Sequence, residues 1–202
     1  MFVQVITGRA ADPAPIRAAL ERWSKELASG ADGWLGSTAG VTDDGRLVVV
    51  ARFESEEAAR RNSDRPEQGA WWSDTAELLD GKANFRDSSH VWADLRGDPD
   101  RAGFVQVMQG QQGRDGNRAQ ELMQTHADEW AAFRPEVLGS VSVAHNDGTW
   151  TMVLYFTSEE DAREGERKTP PPELQAQMEE MNQLSVGEPE FFDLRQPWLE
   201  SA

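Results

Sequence analysis

Along the first hundred residues, apolar positions recur either at every second residue or at spacings of three and four. The first period predicts strands and the second predicts helices. Residues 2–7 alternate with the period of a strand. An apolar stripe at spacings of three and four, from Ile16 to Leu27, then predicts a helix that begins near Asp12. A strand followed by an amphipathic helix is therefore the expected start of the fold.

The remaining pattern of this region predicts four more elements. Two strands flank Asp44 and Gly45, a dipeptide typical of a type I′ hairpin turn. Ser55, followed by acidic residues, predicts the N-cap of a second helix. A further helical stretch is expected over 67–79 and a last strand around 85–92. The order strand–helix–strand–strand–helix–strand is that of a ferredoxin-like unit.

The same pattern occurs twice in the chain, which indicates a duplication. The matched segments are "FVQVITG" (2–8) with "FVQVMQG" (104–110), and "FESEEAAR" (53–60) with "FTSEEDAR" (156–163). The offset between the copies drifts only from 102 to 106. We therefore predict an α+β protein with a first ferredoxin-like unit over 1–95, a linker over 96–103 and a second unit over 104–202.

The strands beside the predicted hairpin turn are apolar on both faces. Val48 and Val50 lie on one face, and Leu47 and Val49 on the other. An antiparallel sheet with helices on one side only is expected to carry polar residues on its other side. Both faces are therefore expected to be covered, and we expect the sheets of the two copies to close into one intramolecular α+β barrel.

Composition narrows the class of protein. The chain has 202 residues, no cysteine and a formal net charge of −16, which disfavours nucleic acid and anionic membranes as partners. No apolar run approaches the ~20 residues of a membrane span, and the N-terminus lacks the pattern of a signal peptide. We expect a cytoplasmic protein, either a monomer with an intramolecular barrel or a homodimer, and no clustered metal ligands.

The tandem pattern, with "EEAARRNSDRPEQGAWW" before the last strand of the first copy, resembles the antibiotic-biosynthesis monooxygenase family and the wider dimeric α+β barrel superfamily. The resemblance covers essentially the whole chain. It implies a cavity in each unit between the sheet and the second helix. Members include cofactor-independent monooxygenases of aromatic quinols, haem-degrading enzymes, isomerases, decarboxylases and proteins with no known activity, so the fold alone does not fix the function.

The resemblance implies candidate site residues and no cofactor. In quinol-oxidising relatives an Asn and a Trp line the cavity, and Asn62 with Trp71 or Trp72 match them by region and residue type. Aromatic rings stack on a planar substrate, and an amide can hold a phenol or an oxyanion. Arg60 and Arg65 are expected to favour the phenolate of a bound phenol. Alternatively, one Trp fills the core, the other covers the seam between the copies, and Asn62 caps its helix.

The second copy diverges from the first in this segment. Gly165 stands at the position of Asn62, and residues 168–181 contain no aromatic residue. We interpret the difference as support for a site in the first copy only. An axial His is absent from the second helix of both copies in the sequence, which disfavours haem degradation.

Histidines and a repeated glutamine complete the set of candidates. His90, in the predicted last strand, is the candidate general base because the pKa of histidine lies near neutrality. Gln4 and Gln106 share one position, which indicates either hydrogen bonding between the copies or cavity lining. His126 is expected on the apolar stripe of a helix, and His145 is expected in solvent.

Overall fold

The computed structural model describes residues 1–95, 97–113 and 116–202, so Arg96 of the predicted linker lies outside the described residues. The helices are α1 (Pro13–Glu26), α2 (Glu56–Ser63), α3 (Pro66–Ala76), α4 (Gly116–Gln124), α5 (Ala127–Phe133), α6 (Glu159–Glu166) and α7 (Pro172–Gln183). The strands are β1 (Phe2–Arg9), β2 (Trp34–Val41), β3 (Arg46–Phe53), β4 (Asn84–Ser88), β5 (Val91–Asp94), β6 (Phe104–Gln112), β7 (Val137–Ala144), β8 (Thr149–Phe156), β9 (Ser185–Leu194) and β10 (Trp198–Ser201).

Two five-stranded sheets and their helices form an α+β fold of two ferredoxin-like units, as the sequence predicts. The strand order is β10-β2-β3-β1-β4 in the first sheet and β5-β7-β8-β6-β9 in the second. Contacts divide the chain into one compact unit of Met1–Val91 with Phe192–Ala202 and another of Trp92–Phe191. The C-terminal strand therefore belongs to the first unit. The repeat boundaries given above describe the duplication and stay a prediction.

Helices α1 and α2 begin at the residues that the sequence indicates. The side chain of Asp12 accepts a hydrogen bond from the Ala14 N–H (2.9 Å), and Pro13 takes the first helical position. Ser55 caps α2 by accepting from the Ala58 N–H (3.2 Å). Each cap gives a partner to an N–H of the first turn that the helix itself cannot satisfy.

The turn between β2 and β3 is not the predicted type I′ turn. Within the loop, φ is positive only at Gly45 (80°), whereas a type I′ turn needs positive φ at both central residues. The Gly45 N–H donates to Thr42 O (2.9 Å), and the Thr42 hydroxyl accepts from the Arg46 N–H (3.0 Å). The hairpin is present, but the prediction of its turn type was wrong because Thr42 extends the loop to four residues.

The strand predicted over 85–92 is two strands. β4 ends at Ser88 and lies in the first sheet, whereas β5 begins at Val91 and lies in the second. His90 lies exposed between them, and its N–H donates to the Ser88 hydroxyl (2.9 Å). The prediction that His90 lies within a strand was therefore wrong, because this side-chain turn interrupts the strand.

Two histidines of the second unit also differ from their predictions. His126 has φ of 60° and separates α4 from α5, so it interrupts the predicted helix instead of lying on its stripe. His145 is buried, and its Nε2 lies 2.9 Å from the Thr151 hydroxyl. A hydrogen bond to the neighbouring strand therefore holds His145 away from solvent.

Both faces of β3 are buried, as its sequence predicts. Val48 and Val50 are fully buried on one face, and Leu47 and Val49 are buried on the other. The closure of the two sheets into a barrel stays a prediction. None of the described helices has the length and apolar character needed to span a membrane.

Candidate ligand-binding site in the first unit

One face of the first sheet forms the floor of a cavity. The register of β1 with β3 places Gln4 opposite Ala51 and Ile6 opposite Val49. β2 adds Ser37 beside Ala51 on the same face. All five residues line the cavity. Because residues paired in register point to one side of a sheet, strand alternation alone builds this floor.

Helices α1, α2 and α3 form the opposite wall of the cavity. They contribute Trp23 from α1, Asn62 from α2, and Trp71 and Trp72 from α3. The cavity volume is about 210 Å³. An apolar cavity of about 150 Å³ can hold benzene. The first unit therefore has room for a small aromatic ring system.

Six aromatic side chains line the cavity: Phe53 and five others that form a chain of ring contacts. Trp34 meets Trp23 edge-on at a centroid distance of 5.1 Å, and Trp72 meets Phe85 edge-on, also at 5.1 Å. Trp71 connects the two pairs, at 6.3 Å from Trp23 and 6.1 Å from Trp72. These distances are those of favourable ring pairs. The result is a continuous aromatic wall.

The two adjacent tryptophans occupy different environments. Trp71 is 9 % exposed, belongs to the core cluster of the first unit, and donates from Nε1 to Ala19 O (2.9 Å). Trp72 is half-buried and lies against Phe85, which is 47 % exposed. Trp71 is thus a core residue whose ring also lines the cavity, and Trp72 lies toward solvent.

A charged neighbour fixes the Asn62 amide. Asn62 is 5 % exposed, and its Oδ1 accepts from Arg65 Nη1 (3.0 Å), which also donates to Leu27 O (3.0 Å). The Arg65 Nε donates to Glu67 (3.0 Å). Because a guanidinium only donates, the atom facing Arg65 must be the amide oxygen. The Asn62 nitrogen is then left to donate to a ligand.

Gln4 has a charged neighbour of opposite sign. Its Nε2 donates to Asp87 Oδ2 (3.3 Å), and the two residues are register partners on β1 and β4. Desolvation raises the pKa of the Asp87 carboxyl; the hydrogen bond from Gln4 opposes this rise, and the Glu56 carboxylate adds to it. Gln4 is therefore a polar lining residue whose amide nitrogen is held by an exposed carboxylate outside the lining.

The structure brings together four of the seven side chains proposed from the sequence. Those that line the cavity are Gln4, Asn62, Trp71 and Trp72. Arg65 lies behind Asn62 and is not among the lining residues. Arg60 and His90 are exposed and are not among them either, so the role of His90 as a base stays a prediction.

Sequence reasoning missed four of the aromatic lining residues, which are Trp23, Trp34, Phe53 and Phe85. Trp23 lies on the predicted apolar stripe of α1, which must face the sheet. Phe85 is the register partner of Ile6 on the floor of the cavity, a pairing between distant strands that the local pattern does not show. Trp34 follows a glycine at the start of β2, and nothing in its local pattern indicates a cavity.

The second unit replaces Asn62 with a glycine for a packing reason. A Cβ at Gly165 would overlap Glu136 Oε1 and lie 2.5 Å from Arg134 Nε. These two side chains form an ion pair with Glu136 only 8 % exposed, and Arg134 Nη2 also donates to Ala162 O (3.3 Å). The ion pair occupies the space that a side chain at position 165 would need, which offers a packing reason for the glycine; the interpretation of the difference as support for a site in the first unit stays a prediction.

The position of Trp71 also has a counterpart in the second unit. Gln177 Nε2 donates to Leu122 O, as Trp71 Nε1 does to Ala19 O at the equivalent helix position. Gln177 also accepts from Trp130 Nε1 (2.8 Å). The hydrogen bond to the first helix is thus common to both units, whereas the indole ring is particular to the first.

We expect Gly165→Ala to lower the free energy of unfolding of the second unit by about 1–3 kcal/mol, because the added methyl overlaps a buried ion pair. Gly69→Ala is the matched helical control, since a Cβ there meets no atom within 4 Å. Gly69→Ala should stabilise the protein by about 0.5–1 kcal/mol. Denaturant unfolding followed by circular dichroism measures both, and effects of the same sign would contradict the packing argument.

No family model and no curated protein matches the chain. Solved structures do match along its whole length. A candidate monooxygenase of Lactobacillus acidophilus NCFM is 12% identical with a TM-score of 0.75, covering 98% of each chain. A second, from Fusobacterium nucleatum subsp. nucleatum, is 10% identical with a TM-score of 0.76, covering 99% of this chain and 94% of that one.

A third matching structure is described as related to a named family. It is an uncharacterised ferredoxin-fold protein of Listeria monocytogenes, related to antibiotic-biosynthesis monooxygenases, with 12% identity and a TM-score of 0.51. It covers 100% of this chain and 95% of that chain. At these identities the likeness shows the fold. The protein therefore shares its fold with these three proteins.

Proposed function

We propose that the protein is a cofactor-independent monooxygenase of the antibiotic-biosynthesis type that oxidises a planar, quinol-type aromatic molecule in the cavity of its first unit. The observation that carries the proposal is the cavity itself. A chain of five contacting aromatic rings lines it, and the Asn62 amide nitrogen is available beside them. Aromatic faces stack on a planar ligand, while the amide orients its oxygen atom.

The reaction requires no external reductant. A quinol with a free ring C–H reacts with dioxygen to give a hydroxyquinone and water. One oxygen atom becomes the new hydroxyl oxygen on that ring carbon, and the other leaves as water with the two hydrogens that the quinol loses. All four electrons come from the substrate. The protein has to bind the ring, exclude bulk water and stabilise the phenolate that donates electrons to oxygen.

Asn62 is the residue placed to stabilise negative charge on the substrate oxygen. Its Oδ1 is held by Arg65, so its Nδ2 is oriented in advance as a donor. None of the described lining residues carries a carboxylate, imidazole, ammonium or guanidinium group. The phenolic proton therefore leaves to water or to a group beyond the lining, for which His90 is the candidate predicted from the sequence.

The same lining favours a second candidate function, which is binding of an aromatic small molecule without catalysis. Apart from amides and hydroxyls, the described lining is apolar. Such a cavity binds planar molecules whether or not they react. Binding without any oxygen uptake, over a panel of quinols and phenols, would favour this second function over the first.

We expect Asn62→Ala to lower quinol-dependent oxygen uptake by about 10- to 100-fold, because it removes the donor to the developing oxyanion. Its thermal stability should change little, since Arg65 keeps its bonds to Leu27 and Glu67. Ser63→Ala is the matched control. Ser63 also lines the cavity, but its hydroxyl donates to Ala59 O (3.0 Å) and should leave turnover unchanged. Equal rates in wild type and Asn62→Ala would contradict the role of Asn62.

A further inference from the structure

The cavity has a second polar element, away from Asn62. Gln4 lines the cavity from the sheet, and its amide nitrogen is engaged by Asp87, which is not among the lining residues. An amide side chain can present either its oxygen or its nitrogen to a ligand, and its partner decides which. Asp87 therefore decides which atom of the Gln4 amide faces a ligand in the cavity.

We infer that Asp87 is a positioning residue that orients Gln4 to accept a hydrogen bond from a ligand hydroxyl. The ligand then carries a hydroxyl at the sheet side in addition to the oxygen held by Asn62, as in a dihydroxy or hydroxy-keto aromatic of one or two rings. This inference deepens the proposed function and rests on it only in requiring that the cavity binds an aromatic ligand.

The chemistry of the carboxylate sets the orientation of Gln4. An ionised carboxylate only accepts hydrogen bonds, so the Gln4 group that faces Asp87 at 3.3 Å is the NH₂ group. The carbonyl oxygen of Gln4 then remains for the cavity. Gln4 and Asp87 are paired residues of two neighbouring strands, so the backbone ladder holds them together.

The surroundings of Gln4 make the hydrogen bond selective. Its neighbours on the same face are Ile6 and Ala51, and Phe85 lies two residues from Asp87. A ligand without a donor at this place leaves the Gln4 oxygen unpaired against apolar groups. Leaving such a group unpaired on binding costs more than the hydrogen bond itself contributes. A site built around a hydroxyl therefore rejects the methylated analogue.

The size of the cavity supports a small ring system. Its volume of about 210 Å³ exceeds the roughly 150 Å³ that can hold benzene. One or two fused rings with two oxygen substituents are of matching size. Asn62 lies on the helical wall with the aromatic rings and Gln4 lies on the sheet floor of the same cavity, so we expect a ligand that stacks on the rings to meet both amides through its polar substituents.

The test compares two probes that differ only at the hydroxyl. 6-Hydroxy-1-tetralone carries a ketone for Asn62 and a phenolic hydroxyl for Gln4, whereas 6-methoxy-1-tetralone has no donor at the second place. The four tryptophans of the wall report binding by quenching of their fluorescence. We expect wild type to bind the hydroxyl probe roughly tenfold more tightly than the methoxy probe.

Two variants isolate the role of Asp87. In Asp87→Asn the neighbour is a neutral amide that both donates and accepts, so Gln4 can turn its nitrogen to the methoxy oxygen. The preference for the hydroxyl probe should then fall to about twofold or less. Glu56→Gln is the matched control, because Glu56 influences the Asp87 carboxyl without bonding Gln4, and it should keep the wild-type preference.

Each outcome decides the inference. An unchanged preference in Asp87→Asn, or equal binding of both probes by wild type, would overturn it. If Asp87→Asn does not fold by circular dichroism, Gln4→Met serves instead, and a retained preference there would also overturn it. Selective binding without oxygen uptake on any quinol supports the inference and rejects the proposed oxygenation, so the two failures are distinguishable.

Discussion

Replacing Trp71 by alanine is expected to lower the free energy of unfolding of the first unit by about 3–5 kcal/mol. The ring lies in the core cluster and is 9 % exposed, and it contacts the rings of Trp23 and Trp72. Its Nε1–H is also the donor to Ala19 O. The substitution removes both the buried ring and the hydrogen bond. Denaturant unfolding followed by far-ultraviolet circular dichroism measures the loss.

Trp72→Ala is the matched control for this experiment. Trp72 is half-buried and packs at the edge of the same cluster, so we expect a loss of about 1 kcal/mol. Its main effect should be weaker binding of aromatic probes, because its ring lines the cavity. Equal losses of stability in the two variants would contradict the division between a core ring and a ligand-facing ring.

Trp71→Gln separates the hydrogen bond from the ring. Gln177 of the second unit donates to the helix carbonyl at the equivalent place, so a glutamine can make this bond in the fold. We expect Trp71→Gln to be less destabilising than Trp71→Ala, with most of the loss remaining because the ring is absent. A Gln variant as unstable as the Ala variant would show that the hydrogen bond contributes nothing.

Local patterns predicted most of the fold because they depend on neighbouring residues. The Asp12 and Ser55 caps need only the residues of one helical turn, and both were predicted. The assignment of β4 and β5 to different sheets and the burial of His145 depend on partners that the local pattern does not specify. The turn at Gly45 was mistaken because Thr42, outside the dipeptide, supplies the loop's hydrogen bonds.

The candidate site was predictable only in part for a related reason. Asn62, Trp71 and Trp72 follow from the resemblance of one continuous segment, and the structure places them in one cavity. The partners that fix the amides come from contacts that segment alone does not show. Asp87 meets Gln4 through strand register across 83 positions of chain, and Arg65 turns back to Asn62 and Leu27. No local pattern indicates which atom of an amide faces a ligand.

Replacing Arg134 by methionine is expected to lower the free energy of unfolding of the second unit by about 3–5 kcal/mol. Arg134 Nε and Glu136 Oε1 form a buried ion pair, and the Arg134 guanidinium lies 5.9 Å from the ring centroid of Phe156. Removing the cation leaves the Glu136 carboxylate buried. Lys168 Nζ lies 4.0 Å from Glu136 Oε2, and its side chain is 41% exposed. We therefore expect a value near the lower end of the range.

A double variant tests whether the buried charge causes this loss. In Arg134→Met with Glu136→Gln, neither charge remains, so we expect most of the stability to return. Arg60→Met is the exposed control, because the Arg60–Glu56 pair has a 2.9 Å contact but both side chains are more than half exposed. Losing this exposed ion pair should lower the free energy of unfolding by at most about 0.5 kcal/mol. If Arg134→Met costs no more than Arg60→Met, the ion pair is not a structural requirement of the second unit, and the explanation of Gly165 by packing fails with it.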